Sequence, residues 1–112
     1  MIWIALFVVA ASASDSAAYT VPIGRGIETC QVWSADKTAR DARSADEEWL
    51  YGFVSGADSI AAKSYEKKLV WPSDYPLDFV SFVDRYCAAH PRETVDEAAR
   101  ALTRKLAKDG GL

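Results

Sequence analysis

Apolar residues along this chain recur mostly at three- and four-residue steps, the spacing of a helix face, and strand-like alternation is nearly absent. Ile27, Cys30 and Trp33 share a face of a predicted first helix over about 27–36, which turns Cys30 inward beside Trp33. Residues 37–44 are polar and read as helix tail or connection. A second helix is predicted from Ser44, where Ser44 and Glu47 have capping-box spacing and Asp46, Glu47 and Glu48 fall in a solvated first turn. Its apolar face is Trp49, Leu50, Phe53, Val54, Ala57, Ile60 and Ala61. Residues 62–76 read as the end of that helix and a loop, with Trp71-Pro72 and Tyr75-Pro76 favouring extended or turn backbone. A third helix is predicted over 77–89, opened by Pro76, carrying Phe79, Val80, Val83, Tyr86 and Cys87 on one face and stopped by His90-Pro91. Thr94 and Glu97 form a second capping box, and Val95, Ala98, Ala99, Leu102 and Leu106 line a fourth helix that Gly110-Gly111 ends. The expected fold class is all-α: a small four-helix domain over 27–109.

Gly52 and Gly56 interrupt the second helix one turn apart. Each glycine costs a helix roughly 0.5–1 kcal/mol relative to alanine. The expected compensation is close approach by another helix or by a disulfide, making both helix-packing residues.

Residues 2–11 form an apolar run followed by small residues. It is too short for a span, which needs about 20 apolar residues. The Ala11-Ser12-Ala13 pattern fits signal-peptide cleavage, so 1–13 is expected to be removed, with cleavage as late as 18 as the alternative. Residues 14–26, with Pro22, Gly24 and Gly26, then read as an extended lead-in. Cys30 and Cys87 are the only cysteines. In an exported chain two cysteines are expected to pair, here joining helix one to helix three. The expected location is periplasmic or secreted.

Thirteen basic and 16 acidic side chains are interspersed, for a net charge of −3. No basic stripe points to nucleic acid. One histidine and two paired cysteines do not supply a metal site, and no cofactor motif is present. His90 sits at a helix C-terminus, where a cation is favoured. Ser55 lacks a glycine two residues before it, so there is no nucleophile elbow. No catalytic residues are assigned, and a non-enzymatic role is expected. Trp33, Trp49 and Trp71 read as core or lid residues, and Trp71 with Tyr75 is the candidate partner-binding pair.

Thr29-Cys30 opening a helix, the WLYGFVSG run at 49–56, and YCAAHP at 86–91 before an alanine-rich helix together resemble the HdeA/HdeB-like group of small periplasmic helical proteins. The WLYGFVSG and His-Pro features depart from the acid-stress chaperones of that group and mark a separate branch. The resemblance implies an all-helical periplasmic domain with one disulfide, a homodimer near neutrality, and an acid-stress holdase that binds unfolding proteins. The same layout resembles periplasmic immunity proteins of type VI secretion systems, which implies one specific protein partner. In strong acid the net charge moves to about +14, from the Lys, Arg and His90 side chains, and self-repulsion loosens a fold.

Overall fold

The computed structural model describes residues 24–66, 69 and 75–112. The expected signal segment 1–13, most of the lead-in and Trp71 lie outside the described residues. Among the described residues there are four α-helices: α1 (Cys30–Ala35), α2 (Arg40–Tyr65), α3 (Leu77–Ala89) and α4 (Val95–Asp109). Two 3-10 turns, Gly24–Ile27 and Asp36–Thr38, flank α1. No strand forms among these residues; one isolated bridge pairs Thr29 with Thr94.

That bridge sets two helix starts side by side. The Cys30 amide donates to the Glu93 carbonyl (2.7 Å) and the Val95 amide to the Glu28 carbonyl (2.9 Å). Thr29 Oγ1 accepts from the Val32 amide and Thr94 Oγ1 from the Glu97 amide, so each threonine caps its helix. The Cys30–Cys87 disulfide lies just beyond, joins α1 to α3, and is buried. Trp33, Leu50, Val54, Phe79, Val83, Val95, Leu102 and Leu106 build the core around it.

A second tie joins the same elements. Trp33 is wholly buried, and its Nε1 donates to Asp84 Oδ1 on α3 (2.7 Å). Arg43 on α2 lies 4.7 Å above the Trp33 ring and donates from Nη2 to both Asp84 oxygens (2.8 and 3.1 Å). Lys37 reaches the same carboxylate at 3.7 Å.

The second helix departs from expectation at its start. It begins at Arg40, not Ser44, after Ala39 adopts extended backbone. Glu47 does not reach back to Ser44, because Arg43 Nε holds its Oε2 at 3.0 Å. Asp46 therefore falls in the second turn and is buried, not a solvated first-turn acid. The first helix is also shorter than expected. Ile27 belongs to the preceding 3-10 turn and is 60% exposed, so it does not share the buried face of Cys30 and Trp33.

The glycine expectation is corrected as well. Gly52 and Gly56 are exposed, and a Cβ at either would meet nothing within 4 Å among the described residues. Neither the disulfide nor another helix approaches them there. The close approach belongs to Gly26, where a Cβ would fall 2.8 and 2.9 Å from Cη2 and Cε2 of Trp49, and nearer still to Cζ2. Trp49 thus covers the Gly24–Ile27 turn from α2.

Candidate functional site

Two features of the folded chain offer chemistry or a surface. The first is an apolar groove of about 500 Å³ between α2 and α4. Ala57, Ile60 and Ala61 of α2 and Thr103, Arg104 and Ala107 of α4 line it, together with Leu69 and Leu112. Ile60 was expected to face the core, but helical rotation over the length of α2 carries it out, and it is 65% exposed. Leu69 is buried and anchored by its amide, which donates to Asp58 Oδ1 at 3.0 Å. Leu112 is held by its amide donating to the Ala107 carbonyl at 2.9 Å. Arg104 is the charged group on this lining.

The second feature is a carboxylate cluster beside the first 3-10 turn. Oxygens of Glu28, Asp36 and Asp46 lie within 4.8 Å of one another. Asp46 is 1% exposed. Arg25 meets the cluster, with Nη1 at 3.1 Å from Glu28 Oε1 and Nε at 3.6 Å from Asp46 Oδ1. Burial first, and then the adjacent Asp36 carboxylate, push the Asp46 carboxyl up to about 7, against the opposing pull of Arg25. The sequence contained these acids but no signal that they meet, because the three belong to separate elements.

The residues assigned from the sequence fall as follows. Cys30 and Cys87 are bonded, with Cα atoms 4.7 Å apart, and no free cysteine occurs among the described residues. Tyr75 is exposed, tilts against Phe79 at a centroid distance of 6.0 Å, and lines a small cavity of about 210 Å³ with Tyr51, Ser55, Pro76 and Phe79. That cavity shares no lining residue with the larger groove. Trp71, its expected companion, lies outside the described residues.

His90 caps α3, as its position suggested. Its Nδ1 lies 2.9 Å from the Tyr86 carbonyl oxygen, so Nδ1 carries the donated proton, and the ring stacks on Tyr86 at 4.3 Å. Tyr86 donates to Glu93 Oε1 at 2.6 Å. That bond pushes the Tyr86 phenol up to about 12 and holds Glu93 below its ordinary range. Sharing with Glu93 raises Glu97. The Tyr86–Glu93 and His90–Tyr86 bonds fasten the α3–α4 turn. Compared with protein-family models, curated proteins and solved structures, the chain matches none.

Proposed function

We propose that this protein is an exported, non-enzymatic protein-binding domain. The groove between α2 and α4 receives a short apolar segment of another polypeptide. Ile60 carries the reading: a large aliphatic side chain held 65% exposed on a lining that is otherwise mostly apolar, with Thr103 and Arg104 as its polar members. Burial of the exposed two thirds of Ile60 by a partner would contribute about 1–2 kcal/mol through the hydrophobic effect. The periplasmic or secreted location rests on the leader-like apolar run and on the buried disulfide, which suits an oxidising compartment. A groove already formed in the folded chain favours a specific partner at neutral pH, as an immunity protein would have.

Acid-stress holdase activity is the second reading. The swing in net charge from −3 to about +14 favours it, as does the disulfide that would keep α1 and α3 joined in a loosened chain. Photo-crosslinking from position 60 near neutral pH, paired with suppression of aggregation of a defined client in strong acid, separates the two. The first reading expects one partner captured in equal amount and lost in Ile60→Asp, with no acid activity. The second expects client protection only in acid. Neither crosslinking nor protection would sink both.

A further inference from the structure

The Glu28–Asp36–Asp46 cluster takes no part in that groove. Glu28 follows the first 3-10 turn, Asp36 opens the second, and Asp46 comes from α2. Oδ2 of Asp46 and Oδ2 of Asp36 are both sealed from solvent, and neither has a hydrogen-bond partner among the described residues. The Asp46 side chain itself is 2% exposed. Buried charges left in this condition are costly unless paired or bound to a metal. With all three carboxylates ionised, the Arg25 guanidinium leaves two negative charges uncompensated, the charge of one divalent cation.

We propose that Glu28, Asp36 and Asp46 together bind one hard divalent cation of calcium size. The donor set is all carboxylate oxygen, which suits hard cations and not zinc or copper. Oxygens on opposite sides of a calcium ion, at about 2.3–2.6 Å from it, lie up to roughly 5 Å apart, against about 4 Å for magnesium. The oxygens of the cluster, all within 4.8 Å of one another, lie inside the reach of the larger ion. It would also fasten the two 3-10 turns to α2, which already meets the first turn through Trp49.

The test uses the full chain after chelator treatment, at about pH 8. Calcium chloride at about 10 mM, well above the dissociation constants of weak extracellular sites, is expected to raise Tm by about 5 °C or more. Magnesium chloride is expected to give less than about half that rise. Calorimetric titration with calcium is expected to show one site. Asp46→Asn replaces a buried charge with an amide of similar shape, so it is expected to fold and to lose the calcium response. Glu28→Gln, at a partly exposed position, is expected to weaken the response and guards against a folding defect in the first variant. A calcium-induced rise below about 1 °C overturns the site. So does an equal rise in Asp46→Asn, which would put the ion elsewhere. Stabilisation by mild acid with no response to either divalent ion also overturns it, and assigns a shared proton to the pair.

Discussion

Asp84→Ala is expected to destabilise the fold by about 3–4 kcal/mol at neutral pH. Asp84 is where α1, α2 and α3 meet through polar atoms. Its removal leaves the Trp33 indole N–H without its acceptor in a wholly buried residue, which costs about 1–3 kcal/mol. Arg43, 14% exposed at the side chain, loses its two bonds to Asp84 and keeps only Glu47 at 3.0 Å. That adds about 1–2 kcal/mol, less than a fully buried pair would, because Glu47 and partial solvent access remain. Lys37, more than half exposed, adds little. The sum lowers Tm by roughly 15–25 °C for a domain of this size. Asp84→Asn keeps an acceptor for the indole and is expected to cost about 1–2 kcal/mol. Urea unfolding followed by circular dichroism measures each value, and a double-mutant cycle with Arg43→Ala isolates the pair. A loss under about 1 kcal/mol for Asp84→Ala, or an equal loss for Asn and Ala, would refute the assignment of this tie.

Gly52→Ala and Gly56→Ala are each expected to stabilise the protein by about 0.5–1 kcal/mol, since both sit within α2 facing open space; a loss in urea melts would restore the packing role. Gly26→Ala is expected to cost about 1–3 kcal/mol, because the added Cβ must displace the Trp49 indole; a neutral result would show that the indole swings away freely. Reduction, or the Cys30→Ser/Cys87→Ser double variant, is expected to cost about 4 kcal/mol at most for a loop with sequence separation 57, read by urea unfolding with and without reductant.

The helices that end in strong chemical punctuation were legible in the sequence. Pro76 and His90-Pro91 bracket α3, and Thr94 with Glu97 opens α4, because these residues act through local backbone geometry. The start of α2 was not legible. Ala39 carries no capping side chain, while Ser44 and Glu47 present a capping spacing that Arg43 overrides by taking the Glu47 carboxylate. The disulfide was legible because only two cysteines exist to pair. The three-carboxylate cluster and the Trp33–Arg43–Asp84 tie were not, since each joins residues from separate elements and no local periodicity encodes such a meeting. Glycine misled for a related reason. A glycine inside a helix signals a cost, but what faces it depends on tertiary rotation, and the crowded position proved to be Gly26 in a turn.

The carboxylates of this fold pull in opposite directions when the solution is acidified. Asp46 has a folded value of about 7 against an ordinary aspartate value of 3.8, so the folded state holds its proton more tightly than the unfolded chain. Its stabilising contribution is therefore full below the unfolded value and is lost as pH rises through about 7. Glu97, also raised, adds in the same sense. Glu93 acts oppositely: its value is lowered by the Tyr86 hydroxyl, so its contribution is present above the unfolded value and lost as pH falls. Strong acid brings the chain to about +14, and self-repulsion then opposes the fold. In chelator-treated protein, stability is thus expected to rise from about pH 8 to about pH 5 and to fall steeply below about pH 4. Asp46→Asn is expected to flatten the upper limb and leave the lower one. Urea midpoints across this range decide the matter, and a monotonic loss of stability from neutral pH downward would refute the raised Asp46 value. The raised Asp46 value thus sets mild acid on the stabilising limb and leaves the loss of fold to strong acid.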